Sequence, residues 1–446
     1  MPPRGHEGGP PQQPADRICG RLAPSPTGYA HLGNAWAFLL AWLAVRARKG
    51  VLILRLEDID PQRSRPEFAT ALLEDLRWLG LDWDQGPDVG GPAGPYEQSR
   101  RTAVYADVLA RLEAAGLTYP CFCTRKELRL LAAAPHVDDA GAPYPGICRE
   151  LSAEQREALL RAGRKAAVRL RCAAERVDFV DALLGPQSFC LVECGGDFAL
   201  RRSDGVLAYQ LAVAVDDALM GVNQVVRGRD ILSSTPRQIA LLRLLGYAVP
   251  SYAHIPLLLD GEGQRLAKRH QSLSLRVLRE RGADPRRIVG LLARLAGLNP
   301  RGWSVLPAEL LPDFALERLP GADQRVTDQD FLDAAFPAQR TDDFFDALFG
   351  GAEEGAYDIR LVCRNVTPDR AVLAFELRRR PGKCLVCNLT YGLPQVFQRH
   401  PVLNVAGVAK AVAARLGWPE TSRWSLEPTE EISHELHAIP LVLERP

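Results

Sequence analysis

Residues 20–60 read GRLAPSPTGYAHLGNAWAFLLAWLAVRARKGVLILRLEDID. GRLAPSPTG suggests a short strand that runs into a Pro-Ser-Pro-Thr-Gly turn. The run from Gly33 to Arg48 has a helical pattern, with Arg46 and Arg48 in its last turn and Gly50 just beyond. Cations near a helix C-terminus followed by a glycine are the expected stop signal. VLILRLEDID is then a buried strand emerging into an acidic loop. Strand, turn, helix and strand in that order make a βαβ unit, hence an α/β protein with a parallel, doubly wound sheet.

The turn before the helix carries chemistry. A helix N-terminus presents unpaired backbone N–H groups and the positive end of a dipole, a ready anion site. Pro24, Pro26 and Gly28 let the backbone turn sharply. His31 and Asn34 stand at the start of the helix, where both can donate to a phosphate, and Gly33 removes a side chain from the path of an approaching ring. The competing account is a surface loop with a histidine on it.

Further along, RRTAVYADVLARLEAAG is an amphipathic helix stopped by Gly116. GVLAYQLAVAVDDALMGVNQVVRGRDIL gives a helix and then a strand, and SSTPRQIALLRLLG is a helix with Ser/Thr at its start and Pro236 in its first turn. Residues 119–200 differ in character, with cysteine pairs, a Pro/Asp/Gly loop, a helix near SAEQREALLRAG and short strands. They are expected to form an insertion. A boundary is expected near residue 300, in LAGLNPRGWSV.

The 446 residues allow two to three domains. With 47% hydrophobic and 24% charged residues, the chain can bury real cores. Its formal net charge of +1 excludes a global field toward nucleic acid, so any basic footprint must be local. The longest apolar run, Ala35–Val45, is too short to span a bilayer. Residues 1–18 are rich in Pro, Gly and Gln, with no apolar signal segment. They are expected to be a disordered tail on a cytoplasmic protein. Ten cysteines in so long a chain argue for reduced thiols or metal ligands rather than a disulfide framework. No internal repeat is visible.

Three groups of residues could serve as sites. Arg21, Glu57, Tyr209 and Arg227 stand at or near the ends of expected elements. Two guanidinium forks suit a carboxylate, and Glu57 suits an ammonium, so together they fit an acidic amino acid. Taken singly, each is more simply an exposed ion pair. GQRLAKRHQS, residues 263–272, is a basic loop after an apolar strand. It contains Lys268, one of only six lysines, and such a loop can close over a triphosphate. Cys121, Cys123 and Cys148 can supply three thiolates to a tetrahedral zinc ion, with Tyr144, His136 or water as the fourth ligand. Buried free cysteines are the alternative.

These segments together resemble the catalytic domain of class I glutamyl-tRNA synthetases, over about residues 18–298. His31-Leu32-Gly33-Asn34 occupies the position of the family's HIGH motif. LRLEDIDPQRSRPE, GPYEQSRR, YPCFCTRKEL, DFALRRSDGVLAYQLAVAVDDALMGVNQVVRGRDIL and HIPLLLDGEGQRLAKRH follow in the family's order, the last at the KMSKS position. The resemblance is strongest to a truncated branch of that family. That branch lacks the helical anticodon-binding domain and carries the pattern Cys-x-Cys…Tyr-x-x-x-Cys, which names Tyr144 as the fourth zinc ligand here.

The resemblance implies a Rossmann-type sheet with a zinc-binding insertion in a catalytic domain of residues 19–299. It implies a two-step reaction using ATP and Mg2+. Glutamate is activated as its adenylate and passed to the queuosine base in the anticodon of tRNA(Asp). By position, Arg21, Ala23, Ser25, Glu57, Tyr209 and Arg227 would hold glutamate. His31, Gly33, Asn34, Asp230 and Lys268 would hold ATP, and His31, Asn34 and Lys268 would assist catalysis. Arg265 and Ala267 replace the usual first Lys and the Ser of the KMSKS-type loop, so the loop is expected to contribute less.

Residues 300–446 match nothing in that family. YDIRLVCRN, AVLAFELRR and KCLVCNLTY read as strands and VAGVAKAVAARLGW as a helix, so a small α+β domain of unassigned role is expected. Cys384 and Cys387 are three apart in an expected strand, so they point to opposite faces and are taken as buried thiols rather than a metal pair. A monomer is expected. The other functions compatible with this pattern are a synthetase charging tRNA(Glu), a ligase with a non-tRNA acceptor, and a binding paralogue without chemistry. The non-helical tail weighs against the first. The retained His31, Glu57, Arg227 and Lys268 weigh against the last.

Overall fold

The computed structural model describes residues 17–124, 127–128, 144–259, 274–280, 282–298, 304–325, 332–333, 336, 338–367, 369–383, 393–416, 418–419 and 421–446. The chain forms two compact units, Met1–Leu257 with Leu310–Asp323, and Leu258–Glu309 with Gln324–Pro446.

The first unit is built on the expected βαβ start. β1 (Cys19–Leu22) pairs in parallel with β2 (Val51–Leu54), Arg21 opposite Ile53. The crossover is α1 (Leu32–Arg46), whose sequence is almost wholly apolar and whose buried residues lie all around it. A helix with no polar face must be covered on all sides. Gly20 is required by this packing, because a Cβ there would overlap Val45 Cγ2 of α1. Helices α2 (Pro66–Trp78) and α3 (Thr102–Ala114) follow.

The insertion begins with β3 (Thr118–Cys121), which forms an antiparallel sheet with β4 (Ala167–Leu170) and β7 (Ala199–Arg201). Within it, α4 (Ala153–Arg161) starts at a Ser152–Gln155 capping box. Residues 119–200 are not wholly separate from the main fold. They also contain β5 (Arg176–Asp181) and its hairpin partner β6 (Gly185–Cys190), and β5 joins the parallel sheet.

That sheet continues through α5 (Tyr209–Leu219), β8 (Gln224–Gly228), α6 (Thr235–Leu244) and β9 (Ser251–Ile255). The order is β6-β5-β9-β8, with β8 and β9 parallel. β1 runs alongside β8, since the Asn223 N–H donates to the Cys19 carbonyl at 3.0 Å and Arg21 Nη1 donates to the Val226 carbonyl at 3.3 Å. Ligands in such sheets bind beyond the carboxyl ends of the strands.

In the second unit, β10 (Leu258–Leu259) pairs in parallel with β11 (Gln324–Arg325). Helices α7 (Leu275–Glu280) and α8 (Pro285–Leu295) lie between them in sequence, α8 being capped by Asp284. After α9 (Gln339–Phe349) comes an antiparallel sheet. It comprises β12 (Tyr357–Val366), β13 (Arg370–Arg379), β14 (Arg423–Leu426), β15 (Glu430–Ser433) and β16 (Leu436–Glu444), in the order β12-β13-β16-β14 with β15 also on β16.

Helices α10 (Leu393–Arg399) and α11 (Val405–Arg415) complete this α+β tail. Its core packs aliphatic side chains around a cluster of aromatic rings. Phe375 meets Phe336 and Phe397 edge to face, at centroid distances of 5.1 and 5.5 Å. The expected third strand, KCLVCNLTY with Cys384 and Cys387, falls outside the described residues apart from Lys383. Among the described residues, no helix is long and apolar enough to cross a membrane.

Candidate active site

The turn Ala23–Ala30 leads into α1 at His31, whose backbone is extended. His31 Nδ1 accepts from the Gly33 N–H at 3.1 Å, and the Asn34 side-chain oxygen accepts from the His31 N–H at 3.1 Å. This is a capping box built from histidine and asparagine. The chemistry follows from the geometry. A ring whose Nδ1 accepts is neutral, and its proton sits on Nε2. Each residue therefore uses its acceptor to fix the helix start, and its donor, His31 Nε2–H or the Asn34 amide, is not part of the box. Asp230 stands in the first turn after β8. Its carboxylate folds back over Gly228, where any Cβ would collide with Oδ1. Lys268, Arg265 and Ala267 lie outside the described residues.

Arg21 and Arg227 lie near the carboxyl ends of β1 and β8, and Glu57 lies just past β2. The fold thus brings to one end of the sheet residues that are far apart in sequence. Arg21, Glu57 and Arg227 are all buried. Tyr209, the first residue of α5, is close enough for Glu57, Arg227 and Arg21 to act on its hydroxyl. Burial first, and then Glu57, pushes that hydroxyl up to about 12. Ala23 and Ser25 lie on the turn between Arg21 and His31. Burial also raises the Glu57 carboxyl above its ordinary value, outweighing the opposing pull of Arg55 and Arg21.

Arg55 is a residue the sequence reading passed over. It is fully buried and sits among three carboxylates. Nη1 is 2.7 Å from Asp217, Nη2 is 3.2 Å from Glu57, and Nε is 3.8 Å from Asp216. Burial opposes its charge, but Asp217, Asp216 and Glu57 outweigh burial and raise its pKa. Asp217 is also 3.5 Å from Arg21 Nε. Burial would raise the Asp217 carboxyl, yet Arg55 and Arg21 hold it below its usual range. Asp216 accepts from Arg101 at 2.7 Å, Gln98 at 3.0 Å and Tyr105 at 2.7 Å. Two signals for this network were present in the sequence: a lone Arg inside VLILRLED, and an Asp pair inside the apolar helix YQLAVAVDDALM.

In the insertion, three cysteines and a tyrosine converge. The sulfurs of Cys121, Cys123 and Cys148 lie within 4.8 Å of one another. Tyr144 Oη is 3.3 Å from Cys121 Sγ and 3.6 Å from Cys123 Sγ, and Cys123 and Cys148 sulfurs are 3.6 Å apart. A tetrahedral ion with metal–sulfur bonds of about 2.3 Å sets neighbouring ligands about 3.7 Å apart, so this donor set fits such an ion. Without one, burial raises the Cys123 thiol to about 12, a shift that a dication would reverse. His136 lies outside the described residues.

The chain matches the family described as tRNA synthetases class I (E and Q), catalytic domain, over residues 17–308. It is 58% identical over 316 residues to a glutamyl-Q tRNA(Asp) synthetase of Nitratidesulfovibrio vulgaris, covering 71% of this chain and 97% of that protein. To the protein of the same name in Symbiobacterium thermophilum it is 52% identical over 310 residues, covering 69% of this chain and 96% of the relative. Among solved structures, the glutamate-tRNA synthetase of Elizabethkingia anophelis superposes with a TM-score of 0.63 at 26% identity. That match covers 75% of this chain and 73% of the other.

Proposed function

Because the chain belongs to the class I glutamyl- and glutaminyl-tRNA synthetase family, we propose that it activates glutamate with ATP and transfers it to queuosine in the anticodon of tRNA(Asp). The activity is that of the two relatives spanned almost end to end. One observation of the site carries it furthest. Arg21, Arg227 and Glu57 stand at one end of the parallel sheet, matching a carboxylate and an ammonium, beside the capped start of α1.

In the first step, a glutamate carboxylate oxygen attacks the α-phosphorus of Mg-ATP. The bond to the β-phosphate oxygen breaks and pyrophosphate leaves. Arg21 and Arg227 hold a carboxylate of glutamate, Glu57 and Tyr209 face its ammonium, and Ala23 and Ser25 line the turn alongside. His31 Nε2–H, the Asn34 amide and the α1 N-terminus donate to phosphate oxygens. Gly33 leaves room for the adenine and Asp230 serves the nucleotide, while Lys268 is proposed as a nucleotide-binding residue from its position in the family's pattern alone. In the second step, a queuosine hydroxyl attacks the activated carbonyl and AMP leaves. No side chain forms a covalent bond to substrate, so rate comes from positioning and charge stabilisation.

Zinc is the metal proposed for Cys121, Cys123, Tyr144 and Cys148, where it would cross-link the insertion and hold the thiols as thiolates. The catalytic domain is assigned to residues 19–299 and the tail to residues 300–446. The protein is proposed to act as a cytoplasmic monomer.

ATP–pyrophosphate exchange with glutamate, without tRNA, tests the first step. Labelled glutamate should then appear on queuosine-containing tRNA(Asp) and not on queuosine-free tRNA. Exchange that requires tRNA, with label on tRNA(Glu), would replace this reading with ordinary charging. Exchange with no tRNA labelled would point to another acceptor. Metal analysis should find one zinc per chain, lost in Cys121→Ser.

A further inference from the structure

We propose that His254, itself fixed by Asp181, is a positioning residue that holds the Arg227 guanidinium in place to receive the amino-acid carboxylate. This rests on the reading above, in which Arg227 binds glutamate.

The argument starts from an imbalance. Arg21 and Arg55 share carboxylates, whereas Arg227, only 5% exposed, has no carboxylate within ion-pair distance among the described residues. Its Nε donates to His254 Nε2 at 3.2 Å, Nη1 to Gln238 Oε1 at 2.8 Å, and Nη2 to Thr235 Oγ1 at 2.8 Å. One face lies over the Tyr252 ring, 5.3 Å from its centroid. All three acceptors are neutral, so they orient the cation without neutralising it. Three of its five N–H groups are engaged by these contacts, leaving two for a ligand. A buried guanidinium held this way is poised for an anion that the fold does not itself supply.

His254 can accept from Arg227 only if its Nε2 carries no proton, and Asp181 determines this. The Asp181 carboxylate accepts from the Leu183 and Leu184 N–H groups, each at 2.9 Å, and from the His254 backbone N–H at 3.1 Å. Fixed in that way, it lies 2.6 Å from His254 Nδ1. An ionised carboxylate only accepts, so Nδ1 carries the proton and Nε2 presents its lone pair. The Thr235 hydroxyl accepts from Arg227 Nη2 and lies 2.9 Å from Nε2, so its proton and the Arg227 Nε–H share the one lone pair that Nε2 presents. Full burial, with Arg227 and Arg21 adding to it, lowers the His254 pKa against the opposing hydrogen bond to Asp181. The chain of contacts runs from β5 through β9 to β8.

The full-length protein tests this by ATP–pyrophosphate exchange, varying glutamate and ATP separately, with thermal midpoints measured alongside. His254→Ala removes the acceptor, and the glutamate KM should rise about tenfold or more while the ATP KM stays within about twofold. His254→Gln restores an oxygen that can accept from Arg227 and should recover most of that rise. If His254→Ala does not fold, Thr235→Val, which removes the acceptor of Nη2, should show the same selective rise. A purely structural histidine would lower the midpoint without separating the two KM values. An active wild type whose variants keep the glutamate KM overturns the positioning role alone. A wild type with no glutamate-dependent exchange overturns the functional reading, and this inference with it.

Discussion

Replacing Arg55 with Met keeps the volume of the side chain and removes its charge from among three buried carboxylates. The consequence differs at each. Asp216 retains Arg101, Gln98 and Tyr105 and loses little. Asp217 retains Arg21, at 3.5 Å, as its ion-pair partner among the described residues. Glu57 loses the one side-chain donor it has among the described residues. Two buried carboxylates are thus left under-compensated, and removing one member of a buried charge group typically destabilises by about 3–5 kcal/mol. Arg100→Met breaks only an exposed pair with Glu97 and should change stability by less than about 0.5 kcal/mol.

The sign with pH follows from the same carboxylates. With Arg55 gone, the folded pKa values of Glu57 and Asp217 rise above their unfolded values. Groups shifted in this direction favour the fold when protonated, and that contribution is lost as pH rises through the folded pKa. The Arg55→Met deficit should therefore be smaller near about pH 5 than near about pH 8. Urea unfolding by circular dichroism at the two pH values, with native-state hydrogen exchange of β2, measures it. A deficit no larger than that of Arg100→Met, or one that shrinks toward alkaline pH, would refute the reasoning.

Two further outcomes are expected. Burial raises the Glu57 carboxyl, so it gains its charge only above the ordinary Glu range, and kcat/KM for glutamate should climb as pH rises through that raised value. Glu57→Gln should abolish this acid limb and lower the plateau by about tenfold or more; an unchanged limb would mean that another group titrates. Gly20→Ala drives a methyl group into Val45 and should destabilise by about 1–3 kcal/mol, partly recovered by Val45→Ala in the same chain. A neutral Gly20→Ala in urea unfolding would mean that α1 and β1 separate more easily than their packing indicates.

Much of the fold was legible because its signals are local. Periodicity, proline and glycine punctuation and cations at helix ends placed β1, α1, β2, α3, α5, β8 and α6 with little error, since hydrogen-bonding period and backbone sterics act over a few residues. The spacing of Cys121, Cys123 and Cys148 suggested a metal site, because ligand spacing on a short loop limits geometry. The family resemblance selected Tyr144 from the three candidates for the fourth ligand, and the structure places its hydroxyl against two of the sulfurs. In the tail, β12, β13 and the helix at Val405–Arg415 were equally visible, although their role was not, whereas β14, β15 and β16 were not read from the sequence.

The tertiary structure decided the partners. Whether Arg21, Glu57 and Arg227 were separate exposed ion pairs or one buried group depended on strand order, which sequence spacing does not specify. The same holds for Arg55, whose three carboxylates come from Glu57, two residues further along the chain just past β2, and from a helix more than 150 residues away. His31 gained a defined tautomer only when its Nδ1 was seen to cap α1. His254 and Asp181 were not singled out in the sequence, and their contact exists only because β5, β9 and β8 lie side by side. Electrostatics and hydrogen bonding act through space over a few ångströms, so the amino-acid sequence determined which groups exist, and only the folded sheet determined which of them meet.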